Sequence, residues 1–200
     1  MVDSIIFDLD GTLTQIASPW RHVHQRLGLW DDIASEYLDE WLSGGISYEE
    51  FCRRDFELWK GHSLEEIESL LDEIEINPHV PGIVDRLKGR GILSIIISSG
   101  FSRVAKRIQS RFKWEPLLIY ANELVEGPDV LIRVSADPDS PVSKRRLSTI
   151  ALEQAGVDPA RSLVVSDSVQ DLDLMAECQY RLWIQNEDDL LEVYRFIDNS

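Results

Sequence analysis

The chain has 200 residues, of which 44% are hydrophobic, enough to bury one real core and a smaller second module. Its formal net charge is -16 and only five of its twenty basic residues are lysines, which argues against a sequence-independent grip on nucleic-acid phosphates. Cys52 and Cys178 lie far apart without metal-type spacing, no apolar run is long enough to span a membrane, and the Met-Val-Asp-Ser start lacks a secretory pattern, so the expected setting is reducing and cytoplasmic.

The first element is a short apolar strand over residues 4–7, running straight into Phe7-Asp8-Leu9-Asp10-Gly11-Thr12-Leu13-Thr14. Ligands of open α/β sheets gather at the carboxyl ends of strands, where Asp8 and Asp10 would sit. Two acids so close repel each other unless a cation or a proton intervenes. From residue 15 to about residue 79 no strand pattern appears, and helices follow one another. Ser18 suits the N-cap before Pro19, Gly44-Gly45 parts two helical segments, and Pro78 with Pro81 marks the return. Residues 14–80 hold fifteen acidic and five basic side chains, read as a solvated helical face.

Beyond this stretch, strands are expected at 92–97, 117–120, 163–165 and 181–184, and helices at 83–88, 102–112, 143–154, 169–177 and 188–197. A small hairpin is expected between residues 122 and 140. The alternation predicts an α/β fold, a Rossmann-like doubly wound parallel sheet formed by 1–13 and 80–200, with 14–79 as an inserted helical module.

Three further segments bring chemistry to strand ends. Ile97-Ser98-Ser99-Gly100-Phe101 offers a hydroxyl and backbone N–H groups to an anion. Lys144 opens a helix at its dipole-unfavourable end, which an anion nearby would offset. Val165-Ser166-Asp167-Ser168-Val169-Gln170-Asp171 repeats the paired-carboxylate theme, and oxygen donors in this number suit magnesium. Asp173 falls out of phase with Asp167 and Asp171 and is expected to be structural.

Together these four segments resemble the haloacid dehalogenase superfamily, in its phosphoserine-phosphatase-like branch, over nearly the whole chain. The resemblance implies Asp8 as nucleophile, Asp10 as general acid and base, Ser98 as the hydroxyl that holds the phosphoryl group and Lys144 as the cation that neutralises it. Ser99 and Gly100 would join Ser98 around the phosphate. Magnesium would be held by the set Asp8, Asp10, Asp167 and Asp171, and residues 14–79 would be a cap over the site. The implied reaction is hydrolysis of a small phosphorylated metabolite through an aspartyl phosphate, with phosphotransferase or mutase action as the alternative. Asp10 argues against dehalogenation, which has no use for a second acid there.

In phosphoserine enzymes an acid nine positions after the nucleophile and a cap arginine bind the substrate's amine and carboxylate. Here those positions read Ala17 and Asp55, with Arg53 and Arg54 adjacent to the latter. Ser18, Trp20, His24, Tyr48 and Arg54 are the candidate pocket residues instead, although Trp20, His24 and Leu27 share one helix face and also read as a packing stripe. His22 and His62 are expected at the surface. Neither nucleic acid nor membrane is an expected partner, and the sequence leaves room for a homodimer.

Overall fold

The computed structural model describes residues 2–125, 131–133 and 144–200. Among these, β1 (Ser4–Phe7) lies at the centre of a sheet, parallel to β2 (Leu93–Phe101) on one side and β5 (Ser162–Ser166) on the other. Next to β2 lies β3 (Leu118–Val125), next to β5 lies β6 (Tyr180–Trp183), and both pairings are parallel. The edge strand β4 (Leu131–Arg133) runs antiparallel to β3, giving the order β4-β3-β2-β1-β5-β6. The two strands of the predicted hairpin are therefore paired, while 126–130 and 134–140 lie outside the described residues.

Period-two alternation along the buried strands decides which helix each side chain meets. Ile5, Phe7, Ile96, Leu163 and Val165 face one core, shared with α5 (Val80–Leu87), α6 (Ser102–Phe112) and α9 (Glu192–Asp198). Ile6, Ile95, Ile97 and Val164 face the other, packed on α7 (Lys144–Gln154) and α8 (Leu172–Glu177). Helices on both faces of parallel strands bear out the doubly wound α/β prediction.

Between β1 and α5 come α1 (Pro19–Leu27), a short π-helical turn (Trp30–Ala34), α2 (Ser35–Leu42), α3 (Tyr48–Glu57) and α4 (Leu64–Asp72). Three of these helices start on a serine. Ser18, Ser47 and Ser63 accept the N–H groups of Arg21, Glu50 and Glu66, each cap contributing about 1 kcal/mol. The chain leaves and re-enters the sheet side by side: Thr14 bridges Ile76, Gln15 N–H donates to Glu75 O (3.0 Å), and Asn77 N–H donates to Leu13 O (2.9 Å). The apolar face of these helices joins the core of the sheet. Trp20 lies 4.6 Å from Phe101 and 5.3 Å from Trp59, ring to ring, so aromatic packing seats the insertion on the C-terminal end of β2.

Candidate active site

The first carboxylate pair sits where β1 runs out of sheet. Asp8 N–H still donates to Val165 O (2.9 Å), after which Leu9 O accepts from Leu13 N–H (2.8 Å) and the chain turns through Gly11 at φ +77°. A Cβ at Gly11 would stand 2.1 Å from Asp167 Oδ2, so glycine is needed for its positive φ and for the close approach of the second carboxylate motif. Gly100 plays a matching part, since a Cβ there would meet Asp10 Oδ2 at 2.1 Å. The stretch 98–100 is not the turn expected from the sequence. It continues β2 to Phe101, and the register against β3 shifts between Ile97 and Phe101.

These ends bring the acids around one buried cation. Lys144 Nζ lies 2.6 Å from Asp8 Oδ1 and 3.1 Å from the Asp171 carboxylate, and all three groups are buried. The Ser98 hydroxyl donates to Asp10 Oδ2 (2.7 Å) and accepts from Gly100 N–H (2.7 Å). The Thr12 hydroxyl reaches Asp167 Oδ1 at 3.4 Å. Burial pushes Asp8 well above the usual carboxylate range; Lys144 opposes this, while Asp171 and Asp10 add to it. Burial also raises Asp10 to about 7, against the Ser98 hydrogen bond. Asp167 is raised by burial as well. Burial alone would lower Lys144, but the charges of Asp8 and Asp171 outweigh it and the pKa rises.

Four carboxylates thus share a single lysine, and Asp10 Oδ1 is buried without a hydrogen-bond partner among the described residues. A divalent cation fits this excess of negative charge and hard oxygen donors. Among the described residues no three acidic, histidine or cysteine side chains stand together as a ready-made metal-binding group. Asp171 Oδ2 meets Lys144 Nζ (3.1 Å) and the Ser166 hydroxyl (2.7 Å), while its Oδ1, like that of Asp10, is buried without a hydrogen-bond partner among the described residues.

Above these groups opens a cavity of about 370 Å³, with Asp8, Asp10, Ser98, Lys144 and Asp167 on the sheet side and Ser18, Trp20 and Tyr48 from the insertion on the other. A larger groove of about 600 Å³ runs along α6, apart from Asp8, Asp10 and Asp167; Arg103, Arg107 and Arg111 line it, and Arg103 is paired with Glu68 and Asp72.

Residues 5–176 match the family of haloacid dehalogenase-like hydrolases. The chain belongs to that family. It is 24% identical over 176 residues to a probable phosphoserine phosphatase of Schizosaccharomyces pombe, a match covering 86% of this chain but only 58% of that relative's length. It is also 24% identical over 181 residues to a phosphoserine phosphatase of Polaromonas sp., covering 86% and 75% of the two chains. Its fold is similar to that of a solved phospho-aspartyl intermediate analogue of phosphoserine phosphatase, with a TM-score of 0.76, 19% identity, and coverage of 96% and 90%. These relatives and this fold neighbour are phosphoserine phosphatases, so the likeness is to that branch of the family.

Two pocket candidates do not join the cavity of this hydrolase. His24 is fully buried inside the insertion; its Nδ1 accepts from Trp59 Nε1 (3.3 Å), and its Nε2 lies 3.4 Å from Asp55 Oδ2, so the packing reading holds for the Trp20–His24 stripe. Asp55, its carboxyl raised by burial, is that histidine's partner. Arg54 points outward, bound to Glu50 (2.7 Å) and Glu40 (2.8 Å), because Glu50 precedes it by one helical turn. Arg53 pairs with Glu50 as well, so neither arginine lines the cavity. His22, expected at the surface, is partly buried, its ring lying 3.1 Å from Leu70 O of α4. His62 is half-buried and pairs with Glu66, and Asp173, expected to be structural, is exposed and does not line the cavity.

Sequence reasoning overlooked the hydroxyls and amide that fix these groups. Ser166 donates to Asp171, and fully buried Asn122 donates to Ser99 O (2.7 Å) and to the Tyr48 hydroxyl (2.8 Å). An asparagine within a strand, where that residue is depleted unless it has partners, was the available signal for Asn122.

Proposed function

We propose that the chain is a magnesium-dependent phosphomonoesterase in which the Asp8 carboxylate takes up the phosphoryl group, with residues 14–79 acting as its cap. The observation that carries this reading is the buried Lys144–Asp8 contact at 2.6 Å on the floor of the cavity, with Asp10 alongside. Lys144 opposes the burial that raises Asp8 and aims one of its oxygens, while Asp171 and Ser166 hold the lysine in place.

An Asp8 oxygen attacks phosphorus, the bond from phosphorus to the ester oxygen breaks, and the departing alkoxide takes a proton from Asp10. The pKa of about 7 keeps Asp10 half-protonated near neutrality, suited to giving a proton and then taking one. Water then attacks the same phosphorus as Asp10 accepts its proton, releasing phosphate and restoring Asp8. The Ser98 hydroxyl fixes the Asp10 carboxylate for both transfers, and the Lys144 charge stabilises the equatorial oxygens. Magnesium, held by Asp8 and Asp167, would supply further neutralisation of the phosphoryl oxygens.

The test is phosphate release from p-nitrophenyl phosphate. Activity is expected to vanish in chelator, return with Mg²⁺ and stay low with Ca²⁺, whose looser geometry misplaces the phosphorus. Asp8→Asn should abolish turnover together with the trapped phosphoenzyme. A variant that still turned over at the wild-type rate would remove Asp8 from the role.

A further inference from the structure

The cavity has a charged floor and an uncharged roof. Above the catalytic carboxylates its walls are Leu38, Trp41 and Leu42 of α2 with Tyr48 and Phe51 of α3, and no charged side chain of residues 14–79 lines it among the described residues. Of the polar atoms of this roof, Trp20 Nε1 is buried without a hydrogen-bond partner among the described residues, a neutral donor and no counter-ion for a charged group, while the hydroxyls of Tyr48 and Ser18 are engaged. The Tyr48 hydroxyl donates to Ser99 O (2.5 Å) and accepts from Asn122, and Ser18 Oγ accepts the N–H of Arg21. Ala17 lines the cavity without a functional group, and Arg53 and Arg54 are held on the outer face by Glu50 and Glu40.

A second observation concerns exposure. Among the large apolar side chains described, Val169 at 68% and Leu42 at 62% are the most exposed, and both line this cavity. One comes from the turn after β5, the other from the end of α2, so apolar surface is left wet on both sides of the mouth. Burying such surface is what an apolar guest does, whereas single exposed residues scattered elsewhere would carry no such meaning.

We propose that the alcohol released by this enzyme is neutral and apolar, an aryl or branched-alkyl group lying between Trp41, Leu42 and Phe51 on one side and Val169 on the other. This rests on the phosphatase reading above, and the bonds made and broken are those already described. A zwitterionic leaving group such as serine would bring an ammonium and a carboxylate under a roof that pairs neither, and unpaired buried charge is what such a site rejects.

The deciding experiment compares kcat/KM for benzyl phosphate, isopentyl phosphate, O-phospho-L-serine and phosphoethanolamine on the full chain with Mg²⁺. All four release weakly acidic alcohols, so the ranking reports on the pocket rather than on the leaving group. Benzyl or isopentyl phosphate should exceed both charged esters by tenfold or more; benzyl ahead indicates an aryl guest, isopentyl ahead a branched alkyl one. Leu42→Asp, at a position exposed enough to leave folding intact, should cut that preference at least fivefold, and Trp41→Ala should do so too. O-Phospho-L-serine or phosphoethanolamine equal to or better than the apolar esters would overturn the proposal while leaving the phosphatase reading in place. A folded protein that hydrolysed none of these esters, nor p-nitrophenyl phosphate, would remove both.

Discussion

Replacing Lys144 by methionine keeps an unbranched side chain one atom shorter and removes its charge, so it reports mainly on what that charge contributes. In the native site Nζ sits 2.6 Å from Asp8 Oδ1 and 3.1 Å from Asp171, and its side chain is 9% exposed. Breaking a buried pair by removing one partner costs about 3–5 kcal/mol, because the remaining charge is stranded. Here two carboxylates are stranded, and the cheapest relief is protonation of one of them. A protonated Asp8 is no nucleophile. Loss of a preorganised charge aimed at the transferring group costs at least about 100-fold in kcat, roughly 2.7 kcal/mol. Lys144→Met is therefore expected to lose at least that factor in Mg²⁺-supported hydrolysis of p-nitrophenyl phosphate, measured at saturating substrate, with circular dichroism verifying the fold. Lys144→Arg keeps the charge but replaces a compact ammonium by a planar fork in a space already bounded by Asp8 and Asp171, and should not restore it. A folded methionine variant with more than a tenth of the wild-type kcat would refute the reasoning.

Gly11→Ala meets two penalties, a φ of +77° and a Cβ 2.1 Å from Asp167 Oδ2; urea unfolding should show a loss of about 1–2 kcal/mol, and a neutral result would mean that the turn readjusts. Arg54→Ala removes only exposed ion pairs to Glu40 and Glu50, so stability should change by less than about 1 kcal/mol and kcat/KM by less than about twofold; a tenfold loss would return Arg54 to the substrate pocket. Burial pushes the Cys178 thiol up to about 11, which leaves about 0.1% thiolate at pH 8, so alkylation by iodoacetamide should be far slower than for the unfolded chain and should accelerate as the pH approaches 11; rapid labelling of the native protein at pH 8 would contradict that placement.

The alternation of short apolar runs with helical patterns was enough to read the doubly wound sheet, because a strand covered on both faces must be largely apolar, as residues 5–7 and 163–165 are. The strand-end motifs containing Asp8, Asp10, Ser98 and Asp167 were legible for a related reason: parallel strands deliver their carboxyl ends to one edge, so chemistry-bearing residues at those ends converge whatever lies between them. Local sequence also specified the serine caps of α1, α3 and α4, which depend only on neighbours three residues away. It could not decide which way an exposed helix turns its charges. Arg54 and His24 both lie on helices of the insertion, yet one is drawn outward by Glu40 from another helix and the other inward by Trp59 and Asp55, partners up to 35 residues distant. Nor could it place Asp171 toward Lys144 or raise a roof of Leu38, Trp41 and Phe51 above Asp8, since those neighbours meet only when separate helices pack. Pairings set by contact between elements carry no signal in local spacing, and the physical nature of this site, a charged floor beneath an apolar ceiling, was settled by the tertiary structure alone.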